Sequence, residues 1–237
     1  SGNVFNPGEK ISIELGFNGK NSEVFSGIII RHRIKSRNAE SSLLLIECKH
    51  ATLKMCGGRK TTYFEGKDDK AILEALYNEC SVGGSLSCEG EFLKSDSSMQ
   101  FDVSNWDFFM LRAQANSKVV LFDGDNVFVS DLKLSGSPTK TYNYGQDILE
   151  YESEADAENL FSKVEGYSWD SDKQEVVKIS GAPSSFKQLE NDGVKISDLE
   201  GVLSVQNSLI HGGEISKEEL TSWGNSKADI ASLSKIK

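Results

Sequence analysis

Three histidines, four cysteines and a surplus of carboxylates are the side chains with which this sequence could do chemistry. His32 falls on the apolar side of a strand-like run, where an imidazole serves better as a satisfied structural group than as a base. His50 follows Lys49 at a strand end and reads as exposed. His211 precedes Gly212-Gly213, where a turn role is the simpler one. Cys48 with Cys56, and Cys80 with Cys88, are each separated by 7 residues, too wide for the short knuckle of a structural zinc site. Four cysteines do not staple a chain of 237 residues, so they read as buried free thiols of a reducing compartment. A glycosidase needs two carboxylates in a cleft with separated pKa values, and no such pair stands out. There is no G-x-S-x-G elbow. Gly58-Arg59-Lys60-Thr61 imitates a phosphate loop, but Arg59 stands where its last glycine belongs. Asp123-Gly124-Asp125-Asn126 has the residue types of a calcium loop without the alternating ligands and closing Glu, and reads as a hairpin turn. The expectation is a protein with no catalytic residue, no cofactor and no metal, and thus not an enzyme.

The sharpest local pattern is a pair of charged rows. With a period of two, Ile28, Ile30, His32 and Ile34 share one strand face, and Arg31, Arg33, Lys35 and Arg37 share the other. Between residues 148 and 158, Leu149, Tyr151, Ala155 and Ala157 alternate with Glu150, Glu152, Glu154, Asp156 and Glu158. Each row is either a solvated sheet surface or half of a contact between the two. Exposed pairs add only ~0–1 kcal/mol each, so a contact between the rows would set register more than affinity.

The elements that position these rows are mostly strands. Ile11, Ile13 and Leu15 alternate with Ser12 and Glu14, which predicts a half-buried strand at 10–17. Asn18-Gly19-Lys20-Asn21 supplies a turn, Val24 to Lys35 the returning strand, and Leu43 to Cys48 a third. No helices intervene, so a doubly wound parallel sheet is not expected. A helix starts at Asp68 or Asp69 and ends near Cys80 before Gly83-Gly84, and 81–98 reads as a loop. Ser104 or Asn105 caps a second helix, with Asp107 in its first turn. Trp106, Phe109, Met110 and Ala113 form its apolar stripe, while Phe108 and Leu111 fall off it, so a second face must be covered. A hairpin follows at 118–129, then strands at 148–157, 163–169 and 175–179. Residues 181–201 read as a surface excursion. Ser216 and Glu219 have capping-box spacing, and Leu220, Trp223, Ile230, Leu233 and Ile236 give the last helix its apolar face.

The totals exclude several classes. A net charge of −10 argues against nonspecific nucleic-acid binding. No apolar run approaches the ~18 residues of a membrane span. Ser1-Gly2-Asn3 leads directly into a strand-like pattern with no leader-like segment, and reads as a fragment boundary.

Five segments, in order, resemble the VgrG proteins, the spikes of type VI secretion, which themselves resemble the baseplate hubs of contractile-tailed phages. They are Phe5-Asn6-Pro7-Gly8 to Leu15-Gly16; Val24-Phe25-Ser26-Gly27-Ile28-Ile29; Phe101-Asp102-Val103-Ser104-Asn105-Trp106-Asp107-Phe108 with Arg112-Ala113 and Ala115-Asn116; Tyr144-Gly145-Gln146-Asp147-Ile148-Leu149-Glu150; and His211-Gly212-Gly213 with Glu219-Leu220 and Trp223. The resemblance implies a mainly β fold with a few helices (α+β). Residues 1–64 would be the later strands of a first barrel-like domain, incomplete at its N-terminus. Residues 65–140 would be a small α/β insert holding the Trp106 helix. Residues 141–237 would be a second barrel-like domain, its last helix leading toward an absent oligonucleotide-fold domain and spike. The implied function is a structural one: a homotrimeric hub between a hexameric, Hcp-like tube and a three-fold spike, with the rest of the spike, the baseplate and effectors as partners. Such a hub is assembled in the cytoplasm and exported at the tip of the machine. The charged rows would then meet between neighbouring barrels, and Trp106, Phe109, Met110, Trp169 and Trp223 are the packing anchors. Two other classes stay open: an envelope-hydrolysing tail-tip protein using Glu152 or Glu154, and a monomeric cell-surface binding module.

Overall fold

Asn18 and Gly19 both take positive φ, 54° and 75°, the backbone twist a two-residue hairpin requires. They turn strand β1 (Lys10–Phe17) into the long β2 (Lys20–Arg37), and β3 (Ser41–Lys49) adds to the other side of β2. In this computed structural model residues 5–37, 41–94, 97–131, 140–148, 150–152, 163–181, 206–211 and 215–233 are described. After β3 come a 3-10 helix (Ala51–Cys56), β4 (Lys60–Glu65), α1 (Asp69–Glu79), β5 (Leu86–Cys88), β6 (Ser97–Val103) and α2 (Asn105–Ala115). Then follow β7 (Lys118–Asp123), β8 (Asn126–Asp131), β9 (Lys163–Asp170), β10 (Glu175–Gly181), β11 (Gln206–Ile210) and α3 (Lys217–Leu233). The fold is mainly β with a few helices. Among the described residues the sheets are open: β1-β2-β3, β4-β6, β5-β8-β7 and β10-β9-β11.

At each of the three described α-helices a side chain caps the start, and of the alternatives read from the sequence it is Asp68 rather than Asp69 and Ser104 rather than Asn105. The Asp68 carboxylate accepts from Ala71 N at 2.8 Å. Ser104 Oγ accepts from Asp107 N at 3.0 Å and donates back to the Asp107 carboxylate at 2.7 Å. Ser216 Oγ accepts from Glu219 N at 3.0 Å. Each satisfies a backbone donor that the first helical turn leaves without a partner.

The chain divides into two compact units, Ser1–Ala113 with Val119–Ser130, and Gln114–Lys118 with Asp131–Lys237. The core of the first is built on Ile72, Leu73 and Leu76 of α1, Phe108, Phe109 and Ala113 of α2, Met55, and Val127 and Val129 of β8. Trp106 stacks on Phe109 at 5.7 Å, and Phe64 on Phe108 at 5.9 Å. Within this core the Arg112 guanidinium grips Asp69 through two bonds, 2.6 and 2.7 Å, tying the last turn of α2 to the first residue of α1. In the second unit α3 packs on β9 and β10, around Val164, Leu209, Ala228 and Trp223.

The structure departs from the sequence reading in several places. Residues 81–98 are not one loop: β5 pairs in parallel with β8, and Ser97 opens β6, the partner of β4. These pairings join distant segments, and short Ser/Gly-rich strands carry little local signal. Of the strand expected at 148–157, Ile148 makes only an isolated bridge to Tyr144, residues 150–152 are outside any strand, and 153–157 lie outside the described residues. Leu111 is exposed rather than covered, whereas Phe108 is buried as expected. The excursion at 182–201 also lies outside the described residues.

Candidate assembly surface

Cross-strand partners point to the same side of a sheet, so the register of β1-β2-β3 assigns every side chain to a face. Lys10 pairs with Ile28 and Ile28 with Lys49, which places these three together. Ile11 pairs with Gly27, Ile13 with Phe25, and Ile29 with Cys48, on the opposite face. Between Ile29 and Arg31 the register slips by one residue, and beyond the slip His32 pairs with Ile46 and Ile34 with Leu44. A slip of one residue exchanges the faces of everything that follows. Ile28 therefore lies on the basic face, against the core of the first unit, and not beside His32 and Ile34 as simple alternation predicts. The strict period of two hides this, because a bulge is set by pairing and not by residue type.

The result is a mainly apolar face: Ile11, Ile13, Leu15 and Phe17 on β1, Phe25, Ile29 and Ile34 on β2, and Leu44 and Ile46 on β3, interrupted by Lys20, Ser22 and His32. Near its centre Phe25 lies over Gly27, where an added Cβ would meet the ring at 2.6 Å and the Lys49 carbonyl at 2.5 Å. Toward the ends the face is open. Phe17 is 90% exposed, Ile34 72%, Leu15 63% and Leu44 49%. The uncovered apolar side chains thus form two areas, Leu15 with Phe17 near the β1–β2 turn and Ile34 with Leu44 toward the other end of β2.

The other face carries the basic row. Arg31, Arg33 and Lys35 are exposed, and Arg37 closes β2. Arg31 pairs with Glu47 at 3.1 Å, and with Arg33, Leu45 and Ile46 they line a groove of about 290 Å³. Leu43 and Leu45 share this face and are 60% and 49% exposed, so it too mixes charge with uncovered apolar surface. Of the acidic row, Glu150 and Glu152 are exposed, while Glu154, Asp156 and Glu158 lie outside the described residues.

The expected anchors separate. Trp106, Phe109 and Met110 pack with the first unit's own core. Trp223 packs on Val164 and its neighbours, its indole Nε1 buried without a hydrogen-bond partner among the described residues. Trp169 stays 45% exposed beside its cross-strand partner Val176, at 58%. On the same face the Tyr167 hydroxyl donates to the Glu165 carboxylate at 2.5 Å, and Lys178 stands 3.2 Å from that carboxylate. The Tyr167 hydroxyl and Glu165 raise the Lys178 pKa.

The remaining chemistry-bearing residues are scattered. His32 is exposed, its Nδ1 3.2 Å from the Phe5 carbonyl. His50 is not exposed but half-buried, and caps the 3-10 helix; a histidine two residues before a threonine gives no sequence signal of that role. His211 donates its backbone N–H to the Tyr167 carbonyl. All four cysteines are free, three half-buried and Cys56 exposed. Among the described residues no three His, Cys, Asp or Glu side chains come together as a metal site, and no helix is long and apolar enough to cross a membrane.

The model of the Alg8 N-terminal domain family matches residues 1–237, a family other than the VgrG proteins that the five segments resemble. No characterised protein matches at the level of whole sequences. Solved structures do match. The tail protein from Neisseria meningitidis MC58 superposes with a TM-score of 0.62 and 15% identity, over 95% of this chain and 65% of that one. The 43 kDa tail protein of prophage MuSo2 from Shewanella oneidensis gives 0.63 and 11%, over 98% of this chain and 67% of that one. The chain thus shares the fold of these tail proteins while spanning 65% and 67% of their lengths. The E. coli c3393 protein, described as a type VI secretion component similar to the T4 tail proteins gp27 and gp5, superposes with a TM-score of only 0.46.

Proposed function

The chain belongs to the Alg8 N-terminal domain family, and we propose that it serves as a structural hub subunit of a contractile, phage-tail-like injection machine. In this reading it acts as a homotrimer between a hexameric, Hcp-like tube and the remainder of the spike and baseplate, and catalyses nothing. It is assembled in the cytoplasm and leaves at the tip of the machine. The observation that carries the reading is the β1-β2-β3 sheet, which exposes large apolar side chains on both faces, Phe17 and Ile34 on one and Leu43 on the other. Such a sheet is what a subunit presents when other polypeptide covers it, since obligate interfaces resemble a domain core cut in half. The fold shared with two tail proteins supports the class of machine, and the VgrG-like segments support the hub position.

The finer anatomy belongs to the same proposal. Residues 1–64 supply strands of one barrel-like domain, 65–140 the insert, and 141–237 a second barrel-like domain. In the ring the basic row Arg31, Arg33, Lys35 and Arg37 faces Glu150, Glu152, Glu154, Asp156 and Glu158 of a neighbouring barrel. Trp169 is the exposed anchor.

Sedimentation velocity across a wide concentration range, with and without a candidate tube protein, tests the proposal. Trimers, or a ring bound to the tube, support it. A chain that stays monomeric at high concentration and ignores the tube overturns it. Reversing the charges of the basic row should impair assembly and reversing both rows should restore it; indifference to either single reversal removes the row contact alone.

A further inference from the structure

His50 joins β3 to the 3-10 helix, between Lys49 and Ala51. Its Nδ1 accepts the Thr52 backbone N–H at 3.2 Å and lies 3.1 Å from Thr52 Oγ1. The helix it caps carries Ala51 and Met55 into the core, Met55 with no exposure at all. With Nδ1 as the acceptor, the neutral ring keeps its proton on Nε2. Nε2 is buried without a hydrogen bond of good geometry among the described residues, although the Gly124 and Asp125 carbonyls act on the ring as acceptors.

The same ring touches the β7–β8 hairpin. It lies 4.7 Å from the Phe122 ring, tilted by 54°, and Asp125 in the turn is the charged side chain that acts on it. On the ring's own segment, the Lys54 ammonium is engaged by the Ser81 carbonyl at 2.7 Å, and Lys49 is exposed. The turn has a second support. Gly84 approaches it so closely that a Cβ would meet the Asp125 carbonyl at 1.9 Å. Ser85 N and Oγ bond to Asn126 Oδ1 at 3.2 and 2.7 Å. The turn is thus held by residues 84–85, and His50 adds a contact to it. Burial pushes the His50 pKa down, opposed by Asp125 and by the Gly124 and Asp125 carbonyls.

We propose that His50 is an acid-operated latch on the 3-10 helix: uncharged, it caps the helix through Nδ1 while seated against the β7–β8 hairpin, and a proton on Nδ1 releases the cap. Protonation consumes the lone pair that holds Thr52 N–H, and two N–H groups then confront each other across 3.2 Å. The imidazolium relieves this by turning Nδ1 away from Thr52, which uncaps the helix, while Asp125 and the Gly124 and Asp125 carbonyls favour the charged ring on the hairpin side. The sign follows from linkage. The folded state takes up this proton less readily than the unfolded chain, so stability is lost as pH falls below the ordinary histidine value of 6.5. The latch belongs to the first unit alone and is independent of how the chain assembles.

NMR titration of the intact chain tests this, the three imidazoles being assigned by through-bond experiments and checked with His50→Asn. Asparagine keeps an acceptor for Thr52 N–H but does not titrate. The His50 signal should titrate below 6.5, and amides of 51–56 should lose exchange protection as it does. Between about pH 7.5 and about pH 5, where an unperturbed histidine changes charge, the melting temperature of His50→Asn should fall less than that of the unaltered chain. A His50 titration at or above 6.5, or equal pH slopes in the two proteins, overturns the proposal. If His50→Asn does not fold, the titration and exchange of the unaltered chain decide alone.

Discussion

Replacing Leu15, Phe17 and Ile34 together by serine separates an assembly surface from a folding core. These side chains are 63%, 90% and 72% exposed, so in a lone chain they have little hydrophobic stabilisation to lose. Complete burial of each contributes about 1.5–3 kcal/mol, and scaling by the exposed fractions gives about 3–7 kcal/mol for covering all three. If another subunit supplies the cover, the triple variant loses that sum per interface, roughly two to five decades in dissociation constant. Chemical denaturation of the dilute chain should then shift by less than ~1 kcal/mol, as is usual for surface substitutions. Sedimentation equilibrium should show the oligomer gone. The reasoning is refuted if the variant assembles like the parent. It is refuted equally if the dilute variant unfolds several kcal/mol more easily, because the face would then be covered within the chain.

Other sites give independent expectations. Arg112→Ala leaves the Asp69 carboxylate buried, 1% exposed, without its bidentate partner, and should cost about 3–5 kcal/mol by urea denaturation. Gly166→Ala drives a Cβ to within 2.9 Å of Leu220 and 2.8 Å of Ile179, an overpacking of about 1–3 kcal/mol that should lower the melting temperature of the second unit. Ser216→Ala removes the cap of α3 and should cost about 1 kcal/mol, read as lost helical signal and melting temperature. The Glu79 carboxyl is held below its ordinary 4.5 first by Lys60, with Asn105 helping. Its contribution is therefore present above pH 4.5 and fades as pH falls through the lowered folded value. Because the pair is half exposed, Glu79→Gln should remove less than ~1 kcal/mol of that acid dependence.

What the sequence made legible is what local chemistry decides. Asp68, Ser104 and Ser216 were recognisable as caps because a cap needs only its own oxygen and the next three backbone groups. Asn18-Gly19 was recognisable because positive φ is restricted to few residue types. The hairpin turn at Gly124 and Asp125 declared itself in the same way. What stayed hidden depends on partners far along the chain. β5 is three residues of ordinary composition, and only β8, some forty residues later, makes it a strand. The slip at Ile29 is invisible for the same reason, yet it decides which isoleucine faces the core. Of the acidic alternation at 150–158 only residues 150–152 are described, and these lie outside any strand.

The two faces of β1-β2-β3 carry few of the chain's reactive side chains, His32 and Cys48 among them. A catalytic site advertises itself by rare residue types gathered in a cleft. An assembly surface is made of common ones, and its signal is a mismatch between residue type and exposure. Leu43-Leu44-Leu45-Ile46 on β3 is apolar on consecutive positions, the pattern of a strand covered on both sides. In the folded chain Leu43, Leu44 and Leu45 are nevertheless 60%, 49% and 49% exposed. An edge strand that meets water normally carries charge or a break against unwanted pairing, but here charge begins only at Glu47. Selection against aggregation would remove such a strand unless a regular partner occupied it. The composition of β3 is thus itself an argument that the sheet meets further polypeptide, whatever the identity of the machine.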